Sequence, residues 1–520
     1  MVDCTQHDRR CDRWRVRQND RRTKEYPMPV RLSPETLDEI AANGVAVPTY
    51  DRSGITAGIV HFGVGGFHRA HQAMVIDRLL QQGEAREYGI CGVGVLEQDR
   101  RMATAMAEQG GLYTLVLKHP DGTRESRVVG SIVDYLLAVD DPDAVVEKMA
   151  HPDTRIVSLT ITEGGYNFDH VTGEFVADEP GVAADLRGDG PPRTVFGLVV
   201  EALRRRRDRG EQPFTVMSCD NIQGNGHVAR DMFTAYARLQ DPAFADWMDE
   251  HVSFPNSMVD RITPVTADED RAWVRDELGI EDAWPVVAEP FFQWVLEDDH
   301  PAGRPPYQDA DVQIVEDVEP YELMKLRLLN ASHQGLCYFG YLSGYRYAHE
   351  ATQDPAIATF LRRYMDEEGS PTLHPVPGID LEDYKSTLIE RFQNPEVRDT
   401  LARLCAESSD RIPKWLLPVV RDNLAAGRPV TLSAGIVASW ARYDEGTDES
   451  GEPIQIVDRL AEPLHRIALT QRDDRLAFIA NRQVFGDLID DERFVAAYRD
   501  ALDGLIADGA HATVERLSRS

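Results

Sequence analysis

With 520 residues, 42% of them hydrophobic, the chain can bury a large core and its length suggests two or more domains; its formal net charge of −32 argues against nucleic acid or an anionic membrane as partner, since both are polyanions. Six cysteines (4, 11, 91, 219, 337 and 405) form no C-x-x-C pair, so neither a disulfide framework nor a zinc cluster is indicated. The sequence shows neither a run of about 18 apolar residues nor the apolar stretch of a signal peptide near Met1, and the expectation is a soluble, cytoplasmic protein.

Residues 1–27 stand apart, with eight Arg/Lys against five Asp/Glu and no apolar period. They read as a disordered extension, or as translation upstream of a start at Met28, because Ser33-Pro34-Glu35 opens the first convincing helix. Ile59-Val-His-Phe62 reads as a buried strand and runs into Gly63-Val-Gly65-Gly66-Phe67-His68-Arg69-Ala-His71-Gln72, followed by a helical run over 73–80. Strand, glycine turn and helix form the context in which such glycines bind a dinucleotide, because they permit the tight turn and the close approach of pyrophosphate to backbone N–H groups. The third glycine of G-x-G-x-x-G is His68 here. Gly63, Gly65, Gly66, Phe67 and Arg69 are the expected cofactor contacts of this turn. His68 and His71 lack further ligands nearby in sequence, so a metal is not expected.

The next strand, 88–95, leads to Leu96-Glu97-Gln98-Asp99-Arg100. A carboxylate at this point accepts from the adenosine ribose and repels a 2′-phosphate, which favours NAD over NADP. Asp99 is the first candidate and Glu97 the second; Asp99 also suits the N-cap of a helix over 100–108, and Arg100 and Arg101 beside it could hold a phosphate. Residues 113–118, the Pro120-Asp-Gly122 turn and 128–137 look like a hairpin inserted into the wound sheet. The strand 155–162 ends in Glu163-Gly-Gly-Tyr166, and the strand 214–219 leads to Asp220-Asn221. Strand C-termini line the ligand crevice of a wound sheet, so Glu163 is a candidate for the nicotinamide side, and Asn221 either meets a reacting oxygen or forms a turn. After a helical stretch over 227–252, residues 257–264 and 288–295 read as further strands. A Pro/Gly/Asp-rich break at 298–309 reads as a linker, a strand at 312–318 follows, and beyond 320 the pattern is largely helical. The expected fold class is α/β, with a Rossmann-like doubly wound N-terminal domain over 28–310 and a mostly α-helical C-terminal domain over 311–520.

At the join lies a single expected helix, Pro320-Tyr-Glu-Leu-Met-Lys325-Leu-Arg-Leu-Leu-Asn330-Ala-Ser-His333 and onward. At about 100° per residue, Glu322, Lys325, Asn330 and His333 fall within an arc of about 140°, one polar stripe on a greasy helix. The chain has six lysines (24, 118, 148, 325, 385 and 414) among 56 basic residues, so it uses Arg wherever a plain charge suffices. Lysine, unlike arginine, can give up its proton near neutral pH when desolvated. A carbinol cannot release hydride unless its O–H proton leaves too, and Lys325 is the expected base. Glu322, one turn earlier, would hold the cation or pass its proton toward solvent; Asn330 and Asn221 would donate to the developing alkoxide; His333 would orient substrate hydroxyls. Tyr321-x-x-x-Lys325 spells the pair of short-chain dehydrogenases, but their T-G-x-x-x-G-x-G turn is missing and the spelling reads as chance.

The segment 63–73, Thr160-Ile-Thr-Glu-Gly-Gly-Tyr166, Asp220-Asn221 and Lys325-x4-Asn330-x2-His333, in this order, resemble the polyol-specific long-chain dehydrogenase family from about residue 30 to 510. The resemblance implies a metal-free, NAD-dependent oxidation of D-mannitol to D-fructose, with a small polyol or ketose as the partner. It also implies that the matching Lys is the general base, that the two Asn form an oxyanion hole and that the His positions substrate. Asp260 and Arg403 match positions associated with polyol binding, and Arg411 falls where a Lys is often seen near the substrate. The same family includes fructuronate and tagaturonate reductases, whose carboxylated sugars would call for an extra cation, and Arg403, Arg411 and Lys414 are available for it. A non-catalytic NAD-binding sensor is the alternative from another class; the retention of Lys325, Asn330 and His333 together argues against it. A monomer or small homo-oligomer is expected.

Overall fold

A computed structural model of the chain describes residues 28–168, 173–188 and 190–519, so the expectation for residues 1–27 lies outside it. Five strands, Ile59–Phe62 (β1), Ile90–Gly94 (β2), Ile132–Leu137 (β3), Ile156–Leu159 (β4) and Thr215–Ser218 (β5), form one parallel sheet in the order β3-β2-β1-β4-β5. This is the order of a doubly wound sheet, as expected. Every residue of β1, β2, β4 and β5 is buried, as strands covered on both faces must be. The pleat of β1 shows why: Ile59 packs with the helix Gln72–Gln81 on one face, while Val60 and Phe62 pack with Val195–Arg209 on the other.

Two expected strands are divided in the structure. The stretch 128–137 breaks at Gly130-Ser131, so that Arg124–Val129 closes an antiparallel hairpin with Tyr113–Lys118 while β3 leaves it to join the main sheet. The hairpin is therefore not inserted into the wound sheet; with Val286–Ala288 it makes a sheet of its own. The stretch 288–295 breaks around Pro290, which cannot donate to a ladder. Beyond it, Gln293–Glu297 pairs antiparallel with Ser257–Asp260 and parallel with Gln313–Val315, a strand that lies past the break at 298–309.

The rod that follows is the core of the helical domain. Its last section, Ala331–Leu342, is buried along nearly its whole length against Leu401–Cys405, Thr431–Tyr443 and Ala510–Arg519. The same hydrophobic cluster takes in Met258 and Val295 from the first domain, so the two domains share one continuous core. The rod is not one α-helix, however. Between Glu319–Met324 and Ala331–Leu342 the residues Lys325–Asn330 form a π-turn, where the N–H of Ala331 donates to the carbonyl of Leu326 five residues back. Widening the turn frees a carbonyl, and the hydroxyl of buried Tyr364 donates to that of Arg327 at 3.0 Å. In a regular α-helix Lys325 and Asn330 would diverge by about 140°; the i to i+5 turn brings them toward one face, and both border the same cleft.

Candidate active site

Strand order reverses on the two sides of β1, and beyond the C-terminal ends of the strands there opens a cleft of about 460 Å³. Gly63 ends β1 with φ +91°, and a Cβ on it would stand 2.1 Å from the carbonyl oxygen of Thr160, so only glycine lets the turn pass this close to the end of β4. The Thr160 hydroxyl fastens the turn by donating to the Gly63 carbonyl at 2.7 Å. At Gly65 a Cβ would find no atom nearer than the Gly63 oxygen at 3.8 Å, which leaves bare backbone beside open space. Such a cradle fits the pyrophosphate of a dinucleotide.

Twelve of the expected site residues border the cleft: Gly63, Gly65, Gly66, Phe67 and Glu163 from the wound domain, Asn221 and Asp260 from its strand ends, and Lys325, Asn330, His333, Arg403 and Arg411 from the helical domain. Lys325, 7% exposed, donates from Nζ to Asn221 Oδ1 at 2.5 Å and to the Val259 carbonyl at 2.8 Å. Burial pushes its pKa below the usual amine value, against the pull of the Asp260 and Glu322 carboxylates. Asn330 is buried, and among the described residues its Oδ1 has no hydrogen-bond partner. His333 lies 4.4 Å from the Phe392 ring, and burial pushes its imidazole down to about 3, so it is neutral at physiological pH. Glu322 borders a small side cavity that it shares with Asn221 and Lys325, and its Oε1 accepts from the N–H of Gly224 at 2.8 Å. Burial raises its carboxyl to about 7.

Three further expected contacts do not border the cleft. Arg69 is buried away from the cleft: its guanidinium donates to the Gly65 and Trp284 carbonyls and lies over the Tyr113 ring, which braces the glycine turn from behind. Asp99 Oδ2 accepts from the N–H groups of Val95 and Leu96, both at 2.9 Å, and so ties down the end of β2. Glu97 is paired with Arg100, which also bonds Asp140. Asp260 is in the cleft wall but both its oxygens are taken by Arg391, at 2.8 and 3.0 Å, and Arg391 bonds Glu289 in the same fashion at 3.0 and 2.8 Å. Sequence reading missed Arg391 and Glu289, together with Thr160, Thr162, Thr263, Pro264 and Trp415 of the cleft wall. For Glu289 a signal was available, a carboxylate inside an otherwise apolar stretch.

A wound parallel sheet whose glycine turn opens onto a buried lysine defines a dinucleotide-fold oxidoreductase. The chain belongs to the mannitol dehydrogenase family: residues 57–309 match the Rossmann domain of that family and 317–506 its C-terminal domain. Mannitol 2-dehydrogenase of Phaeosphaeria nodorum is 47% identical over 495 residues, covering 94% of this chain and 86% of that protein, and the enzyme of Neosartorya fischeri is 43% identical over 498 residues, covering 94% and 99%. Among solved structures, Pseudomonas fluorescens mannitol 2-dehydrogenase in ternary complex with NAD and D-mannitol matches with a TM-score of 0.87 and 44% identity over 94% of this chain and 100% of its own. A D-sorbitol dehydrogenase in substrate-free form matches at 0.85 and 38% identity over 93% and 100%. Among the described residues no helix is long and apolar enough to cross a membrane.

Proposed function

We propose that this chain catalyses the reversible, NAD-dependent oxidation of D-mannitol to D-fructose by metal-independent hydride transfer, with Lys325 as general base. The observation that carries the reading is the bonding of Lys325. A neutral amine has two N–H groups and one lone pair; here Asn221 Oδ1 and the Val259 carbonyl take the two N–H groups. The lone pair is then the part of the amine left for a substrate hydroxyl in the cleft. Because Lys325 holds the oxygen of Asn221, the amide NH₂ of Asn221 is left as a donor, and with Asn330 it stabilises the alkoxide that forms as the proton leaves. His333, neutral, offers ring nitrogens to the neighbouring hydroxyls. Glu322, whose carboxyl is raised to about 7, accepts the proton from Lys325 and exchanges it with water. NAD, held by its pyrophosphate at the glycine turn, would accept the hydride from the carbinol carbon. Asp99, whose Oδ2 is taken by backbone N–H groups, would offer Oδ1 to a ribose hydroxyl, and Arg403 and Arg411, which border the cleft, would meet the polyol.

The test is a panel of mannitol, arabinitol, sorbitol, mannonate and gluconate with NAD and with NADP, followed at the reduced-nicotinamide band. Sorbitol belongs in it because a structure 38% identical carries the name of a sorbitol dehydrogenase. Activity on an aldonate with silence toward every polyol would overturn the substrate. Lys325→Ala should lower kcat by about 10²–10⁴-fold while NAD still binds, as followed by fluorescence quenching; unchanged turnover would overturn the base.

A further inference from the structure

The Asp260 carboxylate stands on the residue next to Val259, whose carbonyl holds Lys325. An unbalanced carboxylate at that distance from an amine favours the ammonium form, which is the wrong form for a base. Arg391 removes the imbalance. It reaches in from the helix Leu381–Phe392 of the other domain and is itself clamped between two carboxylates, with bidentate bonds to Asp260 and to Glu289. Its guanidinium lies over Phe291 with Cζ 3.8 Å from the ring centroid, and all three charged side chains are buried. Neither Arg391 nor Glu289 borders the cleft.

We propose that Arg391 and Glu289 are positioning residues that set the local charge around Lys325: Arg391 cancels Asp260 and fixes the direction of its oxygens, and Glu289 limits how far that cancellation goes. The proposal rests on Lys325 being the base. The groups that face Lys325 are Asp260, Arg391, Glu163 from the turn after β4, and Glu322 from its own rod, with Asp220 on the shared side cavity. His71 and His333 are also near and are held neutral by burial. Of the charged groups, Arg391 alone is a fixed cation, and its charge can be altered without touching the cleft wall.

The two clamp variants should move the acid limb of kcat/KM for mannitol in opposite directions. Arg391→Met leaves two carboxylates unbalanced and should shift the limb up by about one pH unit, whereas Glu289→Gln, nearly isosteric, leaves a surplus of positive charge and should shift it down by about half a unit. Damage to packing alone gives no reason for opposite signs. An acid limb unmoved in Glu289→Gln, or moved upward, overturns the proposal even if Arg391→Met fails to fold. Arg391→Lys keeps the charge but not the bidentate geometry, and should hold the limb while raising KM several-fold; a limb shifted as in Arg391→Met would also overturn it. Failure of the base assignment would look different: Lys325→Ala would retain the wild-type rate and acid limb.

Discussion

At Glu322 burial plainly opposes charge. It keeps one backbone donor, from Gly224, and burial raises its carboxyl from the ordinary 4.5 to about 7. The folded protein therefore holds this proton more tightly than the unfolded chain. Between pH 4.5 and 7 the folded state keeps a proton that the unfolded state has lost, so stability falls as pH rises through that window, by about 3 kcal/mol in all. Glu322→Gln should remove this loss: the variant should melt above the wild type at pH 8 and together with it near pH 4, and its turnover should fall if proton exit runs through this side chain. Lys325, Asn330 and His333 were legible in the sequence because they form a polar stripe on an otherwise apolar helix, and Asn221 because it stands at the end of an apolar strand. Arg69 and Arg391 were not. A buried arginine looks like any other in a chain this rich in arginine, and its partners Trp284, Asp260 and Glu289 are remote in sequence.

At the scale of elements, β1, β2, β4 and β5 of the wound sheet could be read because each is a short apolar run ended by glycine or a polar residue. Where one run served two sheets, as at 128–137, no periodicity marks the change of partner. The π-turn was hidden for a related reason: Leu-Arg-Leu-Leu is good α-helix sequence, and the wide turn is imposed by tertiary contacts. Tyr364 is the contact with the clearest role, since its hydroxyl serves the Arg327 carbonyl. Tyr364→Phe leaves that carbonyl buried and unserved and should cost roughly 1–3 kcal/mol of stability. If the turn then reverts toward α geometry, Lys325 and Asn330 separate, and kcat should fall more than KM rises. Wild-type kcat with reduced stability would show that the turn stands without its hydroxyl support.

At the scale of the molecule, the two domains cannot be treated as separate units. The segment around residue 394 grips the first domain through Asn394 on the Lys118 carbonyl, Arg398 on Glu269 and the Arg391 clamp. The break at 298–309 reads as a linker, because a Pro/Gly/Asp-rich composition gives no hint that Tyr307 within it is fully buried. At the surface many carboxylates pair with Arg, each pair weak in water, but the excess of carboxylates that makes up the net charge of −32 has no cation to pair with. Residual repulsion should be screened by salt: raising NaCl from about 0.05 to about 0.5 M shortens the Debye length several-fold and should raise the melting temperature by several degrees. A flat or falling melting temperature would show that repulsion is not limiting.

The rarity of lysine has a use in the laboratory. Lys118 is buried on Asp270 at 2.6 Å and Lys385 is buried between Asp366 and Glu382, so both amines are enclosed and bonded to carboxylates. Lys148 and Lys414 are only partly buried and would acylate at once. Lys325 sits between these extremes, enclosed yet bordering the cleft and bonded to neutral oxygens. An acylating reagent small enough to enter would label it slowly and in proportion to its uncharged fraction. A peptide map taken with and without a bound polyol would then report occupancy at the reacting nitrogen itself, with few competing amines to obscure it.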